Sequence, residues 1–515
     1  MWVIRGRIVA LANDRSVAPT EGSVFTGRVW INDHGRIAAV TKGTQSGPPE
    51  FADAPLVDVG SSLVMPGLVD LHNHLAYNTL PLWTGRDAAY ATRYQWPGAP
   101  TYQSDVSNPA QALGIAAPAA ALRYAEVKAV VGGVTAIQGS PPVTRAFPGW
   151  MVRNVEKEAI GVKKPIFQSV LPATPDQLDT TAGRMVDGRS FIYHLSEGVD
   201  PGLRKEFALL HDHGCVGDGL IGIHSTALTA ADYAAWSLAG GGAVVWSPLS
   251  NLWLYGGTTD VLAARAAGMR VCLGSDWTPS GTRNVLGELK IAATWNEQAL
   301  AGALTDADLV EMVTANPGDT LMRAWGTQVG RLVPGALADI AVFANVDGDP
   351  WRTVVRATER HVRLVMVGGR PAYGNLSLLH AAGVEDAERV TVAGVRRGLV
   401  MALPDEALPP EPDLQREATK SWADGLAELA AVWADPGGSV RKARRRRAVG
   451  EPTLEFVPDM PSAPGDDARA LDDQELDQLV MPKFDGIGHD AGWINAVRTR
   501  APAHAQVLKA AMDRF

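Results

Sequence analysis

The hydrophobic positions of this chain fall into short apolar runs separated by longer amphipathic stretches. Runs with the length of buried strands cover residues 64–72, 134–138, 165–171, 191–196, 219–224, 242–247 and 270–275. The stretches between most of them have the helical spacing of apolar residues. Strands that alternate with helices predict a parallel sheet. The pattern therefore predicts an α/β fold, a (β/α)8-type TIM barrel over residues 61–326.

Only seven such strands are recognisable, whereas a complete barrel has eight. The interval from Val170 to Phe191 barely accommodates an ordinary βα unit. We therefore expect either a compressed strand between residues 171 and 190 or an irregular barrel.

Both ends of the predicted barrel continue into other structures. Short strands at Val3–Ala10, Ser23–Ile31 and Arg36–Val40, with similar runs in 327–375, predict a small composite β-sandwich domain built from 1–60 and 327–375. Residues 376–515 form a C-terminal extension. Within it, the spacing of Leu414, Ala418, Trp422, Leu426, Leu429 and Trp433 predicts an amphipathic helix. The basic run from Arg441 to Arg447 is typical of a solvated, partly disordered stretch rather than an anion site.

Candidate chemistry begins at the end of the first barrel strand, where Asp70-Leu71-His72-Asn73-His74 follows an apolar run. Residues i and i+2 of a strand share a face, so His72 and His74 project together, as two ligands of one metal must. A second pair, His211 and His213, has the same spacing, but its surroundings predict a helix end without this role.

Further polar residues end three later apolar runs. His194 ends Phe191–His194, His224 ends Gly219–His224, Asp276 ends Arg270–Asp276, and Glu197 follows His194 by three residues. The C-terminal ends of parallel barrel strands open on one face, so these groups are expected to converge. Taken singly, each histidine is more often structural, Asp276 is a candidate helix N-cap, and Glu197 is a candidate surface residue. Their joint occurrence in this order favours a site.

The order His-x-His, His, His, Asp resembles the amidohydrolase superfamily of metal-dependent hydrolases. The stretch His194-Leu195-Ser196-Glu197 resembles its cytosine deaminase, chlorohydrolase and aminohydrolase branch. Pro248-Leu249-Ser250-Asn251, Leu273-Gly274-Ser275-Asp276 and Gly330-Arg331-Leu332-Val333-Pro334-Gly335 are also similar to that branch. The resemblance covers roughly residues 1–375.

The resemblance implies one divalent metal ion, Zn²⁺ or Fe²⁺, held by His72, His74, His194 and Asp276. Such a metal lowers the pKa of a bound water from ~16 to ~7. By the same resemblance Asp276 accepts the proton of this water, and His224 steadies the oxygen at the attacked carbon. Glu197 is expected to shuttle protons to a substrate nitrogen.

Many superfamily members bridge two metals through a modified lysine. The nearest candidates, Lys163 and Lys164, precede an apolar run and so lie at the wrong end of a strand. Together with the presence of Glu197, this favours a single metal.

The loop after the first barrel strand is rich in aromatic residues. Because loops at this face shape substrate pockets, we expect substrate contacts from Tyr77, Trp83, Arg86, Trp96 and Trp277. Aromatic faces bind planar rings, so they indicate a flat, nitrogen-containing substrate. Packing of these aromatic residues within the loop, and a surface position for Arg86, are the alternatives.

The composition and net charge limit the kinds of partner that we expect this protein to bind. The net charge of −9 gives no indication of nucleic acid as a partner. Cys215 and Cys272 have apolar neighbours, which predicts buried thiols. The chain has no long apolar run for a membrane span and no signal-peptide pattern near Met1, so we expect a cytoplasmic enzyme with a small-molecule substrate. A homo-oligomer is left open.

The sequence thus predicts a hydrolase of a carbon–nitrogen bond other than a peptide bond, with deamination of a planar small molecule favoured. The alternatives are hydrolysis of an amide, urea, amidine or C–Cl bond by the same site. A non-catalytic binding protein on the same barrel is less favoured, because the full ligand set is present.

Overall fold

The structure is a computed structural model that describes residues 1–12, 24–85, 88–147, 149–157, 160, 166–170, 172–401, 403, 408–460 and 470–515. Its strands are β1 (Trp2–Val9), β2 (Val24–Ile31), β3 (Ile37–Lys42), β4 (Leu56–Pro66), β5 (Leu68–Asp70), β6 (Val134–Ile137), β7 (Arg153–Asn154), β8 (Phe167–Ser169), β9 (Phe191–Leu195), β10 (Leu220–His224), β11 (Ala243–Trp246), β12 (Arg270–Leu273), β13 (Ile340–Phe343), β14 (Val362–Val367), β15 (Arg370–Gly374), β16 (Glu388–Val392) and β17 (Val395–Leu399).

The helices surround and extend these strands. They are α1 (Asn108–Ala116), α2 (Pro118–Val131), α3 (Pro175–Val186), α4 (Arg204–Asp212), α5 (Ala230–Leu238), α6 (Pro248–Tyr255), α7 (Val261–Ala266), α8 (Val285–Ala299), α9 (Asp306–Glu311), α10 (Ala315–Trp325), α11 (Pro350–Arg356), α12 (Leu376–Ala381), α13 (Pro412–Ala418), α14 (Trp422–Ala434), α15 (Pro436–Ala448), α16 (Asp473–Gln478), α17 (Ala491–Arg500) and α18 (Val507–Ala511). None of the helices of the described residues combines the length and apolar composition that crossing a membrane requires.

Eight short parallel strands carry the barrel region. They form two sheets, β5-β6-β7 and β8-β9-β10-β11-β12, in which all neighbours run parallel. Backbone hydrogen bonds also join the outer strands of the two sheets. The N–H of Ile166 donates to Val155 across one gap, and the N–H of Asp276 donates to His72 across the other. The α/β prediction with parallel strands is confirmed.

The strand that the sequence pattern missed is β7. The prediction of a compressed strand between residues 171 and 190 is wrong, since α3 occupies that interval. The additional strand lies earlier in the chain and consists of only Arg153 and Asn154. Two polar residues give no apolar run, so hydrophobic patterning cannot detect it.

The predicted strand 64–72 divides between two sheets. Residues up to Pro66 belong to β4, which pairs with β1 and β13, and only Leu68–Asp70 pairs with β6. Gly67 forms the junction, where a Cβ atom would lie 2.2 Å from the side chain of Thr135. One apolar run therefore links the barrel to the other sheet.

That other sheet contains nine strands, in the order β16-β17-β15-β14-β13-β4-β1-β2-β3. Its strands come from residues 2–66 and 340–399, on both sides of the parallel strands in the sequence. It also extends past residue 375, because β16 and β17 are added by antiparallel pairing of β17 with β15. The extension is thus continuous with this sheet rather than separate from it.

The rest of the extension is largely helical. The predicted amphipathic helix is two helices, α13 and α14, and the basic run forms most of α15. The guanidinium of Arg441 pairs with Asp477 at 2.5 Å, and that of Arg447 pairs with Glu455 at 2.8 Å. The expectation of partial disorder for the basic run is therefore wrong, because neighbouring carboxylates neutralise part of its charge. As expected, Cys215 and Cys272 are buried, and neither forms a disulfide.

Candidate metal centre and active site

Three histidines and one aspartate of the predicted set meet at the ends of the barrel strands. The Nε2 atoms of His72 and His74 lie 3.2 and 3.6 Å from the same oxygen, Oδ1 of Asp276. The Nε2 atom of His194 lies 3.3 Å from that of His74. All four side chains are buried. The structure thus brings together atoms of the type that ligate zinc or iron.

These spacings fit a metal ion. Bond lengths of about 2.0–2.1 Å place the ligand atoms of a tetrahedral zinc site about 3.3 Å apart. Two imidazole nitrogens that face each other at 3.3 Å form at most one poor hydrogen bond. Moreover, His72 Nε2 is buried and has no hydrogen-bonding partner among the described residues. The donor set is therefore chemically incomplete by itself and matches what a divalent metal requires.

Backbone conformation helps to aim two of the site residues. His224 and Asp276 both have positive φ angles, 61° and 58°. A left-handed conformation costs a residue with a side chain about 1–3 kcal/mol and is concentrated at functional sites. At the ends of β10 and near β12, this sharp bend turns each side chain towards the centre.

His72 is oriented by a polar residue that ends the next strand. Its Nδ1 lies 3.3 Å from Oε1 of Gln138, which also accepts the backbone N–H of Asn73 at 3.0 Å. The amide nitrogen of Gln138 donates to Gln168 at 2.7 Å. Since this fixes the amide orientation, His72 donates through Nδ1 and presents Nε2 to the cluster.

Asp70 fixes the two halves of the site to each other. Its carboxylate accepts the backbone N–H of Ser275 at 3.0 Å as well as the Ser275 hydroxyl. Burial raises the pKa of Asp70 to about 6, and the two Ser275 hydrogen bonds oppose this rise. The residue before Asp276 is therefore tied directly to the strand that leads to His72.

A chain of donors sets the protonation of His224. The indole N–H of Trp246 donates to Thr258 at 2.7 Å, and the Thr258 hydroxyl donates to Oδ1 of Asn251 at 3.2 Å. The Asn251 amide nitrogen then faces His224 Nδ1 at 2.9 Å. Nδ1 accepts this hydrogen bond, so the proton of a neutral His224 sits on Nε2. This nitrogen can donate to a substrate oxygen.

His72, His194 and His224 also form a group that could hold a metal. The donor chain argues against ligation by His224, because its Nε2 carries the proton. The same Nε2 lies 3.6 Å from Glu197 Oε1 and 3.9 Å from Asp276 Oδ2.

One carboxylate oxygen of Glu197 accepts a hydrogen bond, and the other has no partner among the described residues. Its Oε1 accepts the Tyr255 hydroxyl at 2.5 Å, and that hydroxyl accepts the indole N–H of Trp96 at 3.1 Å. Oε2 is buried and has no hydrogen-bonding partner among the described residues. Burial raises the pKa of Glu197, so the group is poised to exchange a proton.

The charges of the other site residues follow from their surroundings. Burial, together with the neighbouring histidines, lowers the pKa values of His194 and His224 well below the usual range. For Asp276, burial raises the pKa, but the neighbouring histidines His72, His224 and His74 outweigh burial, and the pKa of Asp276 is lowered. His194 and His224 are therefore neutral imidazoles beside an ionised carboxylate, and these are the forms that bind a metal.

His74 differs from the other histidines. Burial would lower its pKa, but the carboxylate of Asp459 outweighs burial and raises it to about 9. Asp459 Oδ2 lies 2.7 Å from His74 Nδ1. This carboxylate comes from the C-terminal extension.

The predicted substrate-contact residues separate into two groups. The Trp277 ring lies 6.4 Å from His74 and contacts the rings of Tyr77 at 5.0 Å and Trp96 at 5.4 Å. Trp83 instead stacks on Tyr90 and donates its N–H to Thr101. Tyr77, Trp83, Trp96 and Trp277 are all buried. Arg86, like Lys163 and Lys164, lies outside the described residues.

The second histidine pair lies away from the cluster, as expected. His211 lies in α4, His213 follows that helix, and the His213 ring pairs with Asp179 at 2.6 Å.

Sequence reasoning missed five residues around the site. Asp70 and Gln138 end or directly follow barrel strands, so the strand-end rule that found the histidines could have found them. Asn251 and Tyr255 lie on α6, directly after β11. Asp459 gave no local signal, because its contact with His74 spans 385 residues.

Comparison with known proteins finds a family model and relatives to which this chain is similar. Residues 210–372 match the family described as "Amidohydrolase family". A 5-methylthioadenosine/S-adenosylhomocysteine deaminase of Desulforudis audaxviator is 25% identical over 443 residues, which cover 77% of this chain and 95% of the relative.

Solved structures show the same fold at lower identity. A mutant of atrazine chlorohydrolase from Arthrobacter aurescens, complexed with zinc and atraton, has a TM-score of 0.57 at 18% identity, covering 75% of this chain and 100% of that one. Guanine deaminase of E. coli has a TM-score of 0.56 at 16% identity, covering 73% and 100%.

Residues 210–372 thus match an amidohydrolase family model, as the motifs predicted, and the relative of similar sequence is named a deaminase. The prediction of a hydrolase that acts on carbon–nitrogen bonds other than peptide bonds is thereby confirmed.

Proposed function

We propose that this protein is a deaminase with one divalent metal, Zn²⁺ or Fe²⁺, held by His72, His74, His194 and Asp276. The observation that carries the proposal is the convergence of the Nε2 atoms of His72 and His74 within 3.2 and 3.6 Å of one carboxylate oxygen. The spacing of 3.3 Å between His74 and His194 supports it. A metal bound there would activate a water molecule by lowering its pKa from about 16 to about 7.

Asp276 has the geometry of a proton acceptor. Oδ1 faces the histidines and accepts the backbone N–H of Trp277 at 2.9 Å. Oδ2 points towards His224 instead. The second oxygen can therefore take the proton of the attacking water while the first stays on the side of the metal. His224 donates through Nε2 to the oxygen that forms at the attacked carbon.

Glu197 supports the breaking of a C–N bond. In deamination, water oxygen bonds to carbon, the carbon–nitrogen bond breaks, and the nitrogen must gain a proton to leave as ammonia. Glu197 can deliver that proton through Oε2, because Tyr255 holds only Oε1. Chloride leaves without a proton, so in C–Cl hydrolysis an acid at this position would act on a ring nitrogen and not on the leaving group. Amide, urea or amidine hydrolysis needs the same proton and remains the alternative.

The proposed substrate is a small aminated heterocycle. The Trp277 ring lies beside His74 and so borders the proposed metal site. Aromatic faces bind flat rings by area and offset stacking. The deaminase relative acts, by its name, on two adenosine derivatives. We therefore place aminated purines and pyrimidines first in a substrate panel. Location in the cytoplasm and the oligomeric state stay predictions.

The test combines metal analysis with ammonia release. Purified protein should contain close to one Zn or Fe per chain, and His72→Ala should lose this metal. Glu197→Gln should keep the metal but lower kcat by about 10²–10⁴-fold. His211→Ala is the matched control, because this histidine belongs to the second pair and its side chain is 56% exposed.

Four results would contradict the proposal. Two metals per chain would refute the mononuclear site, and full activity of metal-free protein would refute the metal chemistry. Hydrolysis of amides in the panel, with no ammonia from aminated heterocycles, would favour the amide alternative. A chain with no activity on the panel and an undisturbed metal would favour a binding protein.

We also propose that the eight parallel strands close into a single barrel. Inward-facing residues from every part of the two sheets share one apolar cluster, formed by Val69, Leu71, Ala136, Val155, Ile166, Ile192, Ile221, Ile223, Ala243, Val245 and Cys272 with residues of 321–337. The hydrogen bonds from Ile166 and from Asp276 across the two gaps support the same arrangement. The barrel then comprises residues 67–326, and the composite sheet domain comprises 1–66, 327–375 and the strands β16 and β17.

A further inference from the structure

One carboxylate beside the proposed metal centre comes from the C-terminal extension. Asp459 accepts a hydrogen bond from Nδ1 of His74 at 2.7 Å. The Asp459 side chain is 5% exposed, and that of His74 is fully buried. Its other oxygen, Oδ1, is also buried and has no hydrogen-bonding partner among the described residues. A carboxylate placed in this way interacts chiefly with the histidine.

The segment that carries Asp459 is held against the barrel by its backbone. Phe456 forms an antiparallel bridge with Val143, and the N–H of Val457 donates to Pro142 at 3.0 Å. The N–H of Met460 donates to the Tyr77 hydroxyl at 3.2 Å. Asp459 therefore reaches His74 from a fixed position between two anchored residues.

Gly114 in helix α1 allows the segment that carries Asp459 to lie this close to the helix. The N–H of Phe456 donates to the carbonyl of Gly114 at 3.0 Å. A Cβ atom on Gly114 would lie 2.3 Å from the carbonyl oxygen of Phe456. Helix α1 can accept the segment only because this position has no side chain.

We propose that Asp459 is a positioning residue for His74 as a metal ligand, so that the extension completes the metal centre. This inference rests on the proposed function. An ionised carboxylate only accepts hydrogen bonds, so it keeps the proton of His74 on Nδ1 and leaves the Nε2 lone pair facing His194 and Asp276. It also raises the basicity of the ring and restricts its rotation.

The Nδ1 atoms of His72 and His74 differ in their hydrogen-bonding partners, and this difference supports the proposal. His72 Nδ1 is held by a neutral amide, that of Gln138, at the longer distance of 3.3 Å. His74 is held by a charged acceptor at 2.7 Å. Charge-assisted hydrogen bonds are roughly twice as strong as neutral ones. Asp459 therefore contributes more to the orientation of its ligand than Gln138 does.

The experiment measures the affinity of the metal-free protein for Zn²⁺ in competition with a chromophoric chelator. Asp459→Ala removes the contact. Asp459→Asn keeps the shape but loses the charge, and its amide can donate to Nδ1 and so stabilise the wrong tautomer. We expect both variants to weaken Zn²⁺ binding by about 10–100-fold. Glu455→Gln is the matched control, because this carboxylate lies in the same segment but pairs with Arg447.

Thermal unfolding of the metal-free proteins distinguishes positioning from a structural role. Asp459→Asn also removes the partner of a buried histidine, so the proposal expects some loss of stability of the metal-free protein but a larger loss in the free energy of Zn²⁺ binding. A reduction below about tenfold would overturn it, and so would a reduced affinity accompanied by an equally reduced stability of the metal-free protein. Normal Zn²⁺ binding by His72→Ala would instead refute the proposed metal centre itself, so the two failures are distinguishable.

Discussion

A buried ion-pair cluster joins the C-terminal extension to the barrel, and we expect Asp485→Ala to destabilise the whole protein. Asp485 Oδ2 accepts hydrogen bonds from Lys128 Nζ at 2.5 Å and Arg283 Nε at 2.9 Å, and Oδ1 accepts from Arg283 Nη2 at 2.5 Å. The three side chains are 0–4% exposed. Removing the carboxylate would leave Lys128 buried without its counterion and Arg283 with Asp490, at 3.4 Å, as its remaining ion-pair partner.

The structure gives the size of the effect. Breaking a buried pair by removing one partner costs about 3–5 kcal/mol. Burial lowers the pKa of Lys128 to about 8, so this group can lose its proton in the variant. Arg283 cannot, because guanidinium groups stay protonated. For 515 residues, an unfolding entropy of about 2.1 cal/mol/K per residue amounts to about 1.1 kcal/mol/K. The expected loss is therefore about 3–5 °C in melting temperature.

Differential scanning calorimetry of the metal-free proteins tests this value without a contribution from bound metal. Asp513→Ala is the control, because it removes an exposed carboxylate that pairs with Arg498 at 2.5 Å and is itself 77% exposed. Such surface pairs contribute little, so its melting temperature should stay within about 1 °C of the parent. If Asp485→Ala also shifts by less than about 1 °C, the cluster does not hold the extension in place.

Three further predictions concern the site and its surroundings. Tyr255→Phe removes the donor to Glu197 and should lower kcat by about 10–100-fold with unchanged metal content; activity within threefold of the parent would contradict it. Trp277→Leu should raise KM, whereas Trp83→Leu should lower the melting temperature with KM unchanged; the opposite pattern would place Trp83 in the pocket. Burial raises the pKa of Glu288 from 4.5 to about 8, so folding stabilises the protonated form and stability falls as pH rises between these values. Glu288→Gln should flatten the dependence of the melting temperature on pH from 5 to 9, and an unchanged slope would refute this assignment.

The sequence could predict the histidine cluster because a local pattern carries it. His72, His194 and His224 each follow or end an apolar run, and parallel strands bring such ends to one face. Knowledge of the strands was therefore sufficient to predict that distant residues meet.

The remaining features depend on tertiary contacts that leave no local pattern. Strand β7 consists of two polar residues whose pairing with β6 alone defines them as a strand. Asp459 and Asp485 lie in irregular segments in which polar and apolar residues mix and no motif marks either carboxylate. Only the folded chain shows that each carboxylate is buried against a group of opposite charge or a histidine. The burial of Trp83 likewise depends on Tyr90, which stacks on it, and on Tyr102, whose ring meets it edge to face.

The distance in sequence between His74 and Asp459 has a consequence for biosynthesis. The two residues are 385 positions apart. At about 5–20 residues per second, a ribosome needs roughly 20–80 s to add the second after the first. Over the last 183 of these positions, from Asp276 onwards, the nascent chain contains all four proposed ligands but lacks the carboxylate that orients His74. We therefore expect stable metal loading to follow translation of the extension rather than to accompany synthesis of the barrel.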